Sequence, residues 1–342
     1  MSARRHKNKK TSPLIALLLA VAIGGGLFAL WYWEKLDQQL SAAQSAMSAD
    51  PVLKERLSVY TDDGWYCLRE NQEAVLILGI DKLSERLETL NEDALINNLQ
   101  SDFLMLLIVD HDAKTCTALH LNRDTMCEIP RIGKNGTTLP SVTEQLALSH
   151  SYGSGGKDSC RNSVKAVSRL LYDVPVDHYF ALTMDAIPVL TDHVGGVPVY
   201  IEEDLTPADP AFTAETNVVL HGNQALAFVR TRTTVSDGSN LSRMERQRVY
   251  LSSLQNKLLQ RFSSDGDSFI VSLAETLSPY TVTSLSNDEL FSLADCLQSY
   301  DFTGIETTPG AAKTDSKYVE FYPDEEALKA LVLRLFFMKN EQ

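Results

Sequence analysis

Apolar and polar positions follow two regimes along this chain of 342 residues. In the first, apolar residues come in unbroken runs that end on an acid: "AVLILGID" (74–81), "DFLMLLIVD" (102–110) and "TCTALHLNRD" (115–124). Runs of this length predict strands buried on both faces, and the turn-like "HDAK" joins the second to the third. In the second, apolar residues recur every three or four positions, which predicts helices over 83–99, 158–172, 185–194 and 241–262. Short strands fall between these helices at "YFALTM" (179–184) and "VPVYI" (197–201). Further on, helices are expected near 287–298 and 324–338, a strand at "KYVEFYP" (317–323) and a turn at Pro309-Gly310. Strands alternating with helices predict an α/β fold: a central mixed β-sheet with helices on both faces.

The N-terminus breaks this rhythm. "PLIALLLAVAIGGGLFALWYW" (13–33) carries no charge, and about 20 such residues cross a bilayer core as one helix. Trp31, Tyr32 and Trp33 stand where an interfacial aromatic belt would. Residues 1–10 hold five Lys/Arg and no acid, so the positive-inside rule places 1–12 in the cytoplasm and everything after Trp33 outside. A cleaved signal peptide is the minority alternative; its apolar core would be shorter, roughly 7–15 residues. Residues 34–72 read as an extracellular stalk, helical over 34–58 and broken at Asp50-Pro51. One folded domain is expected over 73–342, with a core at about 74–258 and a C-terminal extension over 259–342.

Composition narrows the function. The net charge is −14, and outside the basic start 26 basic residues face all 45 acidic ones. So acidic a body argues against nucleic acid as a partner, which requires a basic footprint. The cysteines Cys67, Cys116, Cys127, Cys160 and Cys296 have no C-x-x-C spacing, so neither zinc nor thioredoxin-like chemistry is indicated. One or two disulfides are compatible with an extracellular domain, in no determined pairing. The histidines, His120, His150, His178 and His193 among them, lack metal-ligand spacing and are expected to be structural or exposed. There is no G-x-S-x-G elbow. "SYGSGGKDS" (151–159) is only loosely like a phosphate loop and reads better as a turn.

Two sets of residues carry candidate chemistry. Asp81, Asp102 and Asp124 lie at strand ends, where ligands of open α/β sheets gather. Their oxygens suit a hard cation such as Mg²⁺ completed by substrate phosphates, though each alone is equally well a solvated loop acid. Arg123 adjoins Asp124. On an extended chain the two would point to opposite faces, each to its own partner. The second set is "ALAFVRTRTTVSDGSNLSRMERQRVY" (225–250). Arg230 and Arg232, two apart, face one way in an extended segment. Ser242 with Glu245 fits a capping box that would start a helix near Ser242. On that helix Arg243, Arg246, Gln247 and Tyr250 form one polar stripe, Met244, Leu251, Leu254 and Leu258 an apolar face, and Arg248 points away as a surface charge. Guanidinium forks on both sides of a loop suit one small polyanion; a solvated basic face is the alternative.

Taken in order, "LILGID", "SDFLMLLIVD", "NRDTMCEIP", "SYGSGG", "VPVDHYFALTMDAIPVLTDHVGGVPV", "LHGNQALAFVRTR" and "NLSRMERQR" resemble the LytR–CpsA–Psr family over about residues 74–258. The resemblance implies a membrane-anchored phosphotransferase, single-pass with its catalytic domain extracellular. It would move a glycopolymer, teichoic acid or capsular polysaccharide, from a polyprenyl-pyrophosphate carrier to a peptidoglycan hydroxyl. It implies Mg²⁺, with Mn²⁺ as the alternative, on Asp81 and Asp102, and catalytic roles for Arg123 and Asp124. Arg230, Arg232, Arg243 and Gln247, with Arg246 beside that glutamine, would grip the pyrophosphate, and the polyprenyl tail would lie in an apolar tunnel between sheet and helices. Hydrolysis of the pyrophosphate, or carrier binding without turnover, are the competing functions. The chain departs from the family pattern at Gln100, Asn122, "QLALSHS" (145–151) and Asn240.

Overall fold

A computed structural model describes residues 58–61, 64–81, 96–97, 99–133, 137–231, 240–313 and 319–339. The expected membrane helix, the helical stalk up to residue 57 and most of the helix expected over 83–99 lie outside these residues. No helix among the described residues is long and apolar enough to cross a membrane.

In chain order the strands are β1 (Ser58–Thr61), β2 (Gly64–Leu68), β3 (Gln72–Ile80), β4 (Ser101–Asp110), β5 (Thr115–Leu121), β6 (Met126–Ile132), β7 (Thr138–Gln145), β8 (His178–Thr183), β9 (Val197–Ile201), β10 (Thr216–Leu220), β11 (Thr281–Thr283), β12 (Asp301–Thr307), β13 (Gly310–Lys313), β14 (Glu320–Pro323) and β15 (Phe337–Lys339). The helices are α1 (Gly156–Leu170), α2 (Ala186–His193), α3 (Gly222–Arg230), α4 (Asn240–Asp265), α5 (Asp267–Leu277), α6 (Asn287–Ser299) and α7 (Glu325–Phe336). Six strands form the central sheet in the order β11-β8-β3-β4-β5-β12. It is mixed: β8 runs parallel to β3 and β12 parallel to β5, while β3–β4, β4–β5 and β8–β11 are antiparallel.

The unbroken apolar runs are explained by two cores, one on each face of this sheet. On the front face Val75, Met105, Ala118 and Phe180 pack against α2–α6 through Leu190, Phe228, Leu254, Leu273 and Leu293. On the back face Leu76, Leu78, Leu106 and Leu119 pack against α1 and α7 through Val167, Leu331 and Leu335. A central strand therefore has no solvent face on which to place polar residues.

Two boundaries differ from expectation. Part of the expected stalk is folded: β1 and β2 make a hairpin, and β2 also pairs with β15. Tyr66 and Leu68 supply the reason, because they bury against the back core. The C-terminal extension over 259–342 supplies β11 and β12 to the central sheet, so the core reaches past residue 258. The "HVGG" turn that ends α2 has a steric cause. Gly196 has φ +92, and a Cβ there would lie 2.6 Å from His221 Cε1. Asp192 Oδ1 accepts from the Gly222 N–H at 2.8 Å, so the two most diagnostic motifs of the sequence are one packed unit, closed by the β9–β10 pairing.

Candidate active site

One end of the sheet collects the candidate acids. Asp81 follows β3 and its N–H donates to Gln100 O (3.3 Å), while Asp102 is the second residue of β4, whose Ser101 pairs with Ile80. Strand β5 stops at Leu121 and the chain turns, with Thr125 N–H donating to Asn122 O (3.1 Å) and Asp124 N–H to Asn122 Oδ1 (3.0 Å). The turn overturns the expectation that Arg123 and Asp124 diverge. Off the strand, adjacent side chains need not alternate, and Arg123 Nε lies 3.4 Å from Asp124 Oδ1. Arg123 also ion-pairs Asp102 and donates from Nη2 to Gln100 Oε1 at 2.7 Å. Gln145 reaches Asp124 Oδ1 at 3.4 Å from β7. Gln100 and Gln145, both in departures from the family pattern, thus border the site. The Asp102–Arg123–Asp124 group is largely buried, at 12%, 13% and 2% side-chain exposure.

The arginine stretch is arranged differently from its sequence reading. Arg230 is the last residue of α3, not part of an extended segment, and its Nη2 lies 3.4 Å from Asp81 Oδ1. Arg232 lies outside the described residues. Helix α4 begins at Asn240, ahead of the expected start, so Ser242 is inside it and accepts from Arg246 Nη1 (3.3 Å), while Glu245 pairs with Arg248 (3.0 Å). Arg248 is partly exposed, at 43% of its side chain. The stripe of Arg243, Arg246, Gln247 and Tyr250 is buried, together with Met244, Leu254 and Leu258. Arg246, expected to grip phosphate, donates from Nε to Phe228 O (3.1 Å) and from Nη2 to Thr231 O. It caps the carbonyl end of α3, where a cation is favoured by orphan carbonyls and the helix dipole. Gln247 Nε2 donates to Val229 O (3.4 Å), leaving Oε1 buried without a partner.

Beside these groups a cavity opens between the sheet and helices α2, α3 and α4. It encloses about 830 Å³ including its open mouth, and Gly79, Phe103, Met105, Leu182, Ile187 and Leu254 belong to its wall. Gln247 contributes one of the few polar groups to a lining that is otherwise almost wholly apolar. Gly79 and Phe103 are wall residues, and Asp81 and Asp102 lie two and one positions from them. Charged groups thus follow the apolar wall closely along β3 and β4, a combination that suits an amphiphile with an anionic head.

Asp81 and Asp102 offer hard oxygens, which fits Mg²⁺ held by one or two carboxylates plus substrate phosphates. Among the described residues no group of three or more His, Cys, Asp or Glu is disposed to hold a metal by protein ligands alone. All five cysteines are free thiols. Burial pushes Cys116, Cys127 and Cys160 up to about 12, so none of these three is a thiolate nucleophile. The "SYGSGG" loop is pinned from within: buried Asn97 donates from Nδ2 to His150 O (3.1 Å) and Gly153 O (3.2 Å).

The chain resembles proteins of known kind over most of its length. A curated relative from Bacillus mycoides (strain KBAB4), named polyisoprenyl-teichoic acid–peptidoglycan teichoic acid transferase TagU, is 26% identical over 324 residues, 93% of this chain and 94% of the relative. Among solved structures, B. subtilis TagT superposes with a TM-score of 0.55 at 21% identity, covering 82% of this chain and 94% of that one. The LytR-CPS2A-psr family protein YwtF (TagT) with bound octaprenyl pyrophosphate lipid gives 0.52 at 21% identity, covering 78% and 90%. These two likenesses bear on the fold. The LytR_cpsA_psr family profile matches residues 33–334, and the protein belongs to that family.

Proposed function

We propose that this protein transfers a glycopolymer from a polyprenyl-pyrophosphate carrier to a sugar hydroxyl of the peptidoglycan. The observation that carries this reading is an apolar cavity whose wall residues Gly79 and Phe103 stand two and one positions from Asp81 and Asp102, the acids that pair with Arg230 and Arg123. Relatives named as teichoic acid transferases along nearly the whole chain support it. In the proposed reaction the cavity takes the prenyl tail. Arg230, Arg232, Arg243 and Gln247 hold the pyrophosphate, with Arg246 supporting them by fixing the end of α3. The acceptor hydroxyl attacks the phosphorus bearing the polymer, and the bond to the lipid phosphate breaks. Polyprenyl monophosphate leaves, and the hydroxyl proton passes to Asp124, which Arg123 and Gln145 orient. Arg123 offsets charge developing on the phosphoryl oxygens, as expected for phosphoryl transfer by positioning and electrostatics. Mg²⁺, or Mn²⁺ in its place, would be held by Asp81 and Asp102 and would neutralise pyrophosphate charge.

The same proposal includes a single membrane helix over 13–33, residues 1–12 in the cytoplasm and the catalytic domain outside, supported by the basic start and the uncharged span. The test is ligation by the full chain in detergent, with lipid-linked polymer and a peptidoglycan fragment. Polymer on the fragment and free prenyl monophosphate are expected. Release of polymer phosphate at equal rate with and without acceptor would replace transfer by hydrolysis. Arg123→Ala should lose roughly 10²–10³ in rate, the cost of one lost electrostatic donor, and Asp124→Ala roughly 10²–10⁴, the cost of a lost general base.

A further inference from the structure

His120 is unused by that mechanism, yet its surroundings are unusual. It sits near the end of β5, opposite Met105 of β4, and Met105 and Ala118 face the front core. Alternation along β5 therefore places His120 on the cavity side of the sheet. Its ring packs on Phe103, with centroids 4.9 Å apart, and Phe103 is cavity wall. The residue is 1% exposed, and Nδ1 is enclosed without a hydrogen-bond partner. Burial, then the guanidiniums of Arg248 and Arg243, push its pKa down to about 3. A neutral imidazole has one donor and one acceptor, and leaving a buried one unpaired is unfavourable. Packing on Phe103 alone would be served as well by a phenyl ring.

We propose that His120 is a further phosphate-binding residue, its imidazole donating to an oxygen of the prenyl-linked phosphate beside Arg243. This rests on the reading of the cavity as a prenyl-pyrophosphate site. His120 would then be costly in the free protein and useful in the complex, so stability and binding should move in opposite directions. The full chain in detergent is titrated with farnesyl pyrophosphate and with farnesol, and its melting is followed, for wild type, His120→Phe and His120→Gln. His120→Phe should melt no lower than wild type and bind farnesyl pyrophosphate about tenfold or more weakly, the scale of one hydrogen bond to a charged group. Farnesol binding should not change, and His120→Gln, which keeps a donor, should recover part of the loss. Equal farnesyl pyrophosphate affinity in wild type and His120→Phe overturns the assignment alone. So does a lower melting point with both ligands weakened together, because that is a packing role. No binding of farnesyl pyrophosphate by wild type overturns this assignment and the reading of the cavity with it.

Discussion

At the scale of single residues, the two acids proposed to hold the metal are not equivalent. Asp102 pairs with Arg123 where both are nearly enclosed, whereas Asp81 meets Arg230, which is 54% exposed. Removing one partner of a buried pair leaves an uncompensated charge and costs about 3–5 kcal/mol, while an exposed pair contributes about 0–1 kcal/mol. Both Asp81→Asn and Asp102→Asn should lose ligation activity, but only Asp102→Asn should unfold well below the wild-type denaturant midpoint. Equal midpoints would contradict the burial argument. A second residue-scale prediction concerns acid. Burial holds His120 down to about 3 and His150 to about 4, against about 6.5 in an unfolded chain. Both folded values are depressed, so below pH 6.5 the unfolded state binds protons that the native state refuses. The stability from keeping them neutral is present above about pH 6.5 and is lost as pH falls toward about 4 and then about 3, at about 1.4 kcal/mol per unit of displacement. Melting temperature should fall through this window, and His120→Phe should flatten the fall; an unchanged slope in that variant would remove His120 from the account.

At the scale of elements, the sequence announced strands better than it announced where side chains spend their bonds. The runs at 74–81 and 102–110 became β3 and β4 because burial on both faces leaves an unbroken apolar signature. The "HVGG" and "LHGN" motifs were legible as a pair because Gly196 against His221 permits almost no substitution. The helix-capping bonds of Arg246 were not legible for a physical reason: a guanidinium that caps a neighbouring helix and one that grips phosphate look alike in a sequence. The turn at Asn122 was equally hidden, since the strand pattern runs on through Leu121 and nothing apolar marks its end. The distinction for Arg246 is measurable. Arg246→Ala leaves the carbonyls of Phe228 and Thr231 without this donor at the end of α3, at about 1–3 kcal/mol for buried acceptors left unpaired. Arg243→Ala should instead cost more in pyrophosphate affinity than in stability. If thermal unfolding and binding titrations gave the two variants the same profile, the separation of cap from clamp would fail.

At the scale of the whole molecule, the two faces of the sheet are built to different standards. The back face is closed by α1 and α7 over Leu76, Leu78 and Leu106, all at 0% exposure. On the front face, α2, α3 and α4 stand off the sheet enough to leave the cavity. That asymmetry could not be read from periodicity, because both cores draw on the same kinds of apolar residue and the void is a matter of helix placement. It predicts opposite responses to opposite substitutions. Leu106→Ala should open a hole in a filled core and cost about 2–5 kcal/mol. Ile187→Phe on the cavity wall should grow into empty space and raise stability by about 0.5–2 kcal/mol, because new contacts form without displacing packed neighbours. The same phenyl ring would occupy the slot proposed for the prenyl tail, so farnesyl pyrophosphate affinity should drop about tenfold. Inorganic pyrophosphate, which needs only the charged end, should bind as before. Calorimetric titration with the two ligands decides the matter. A stabilised Ile187→Phe that binds farnesyl pyrophosphate as tightly as wild type would mean that the tail lies elsewhere and that the cavity is a packing defect.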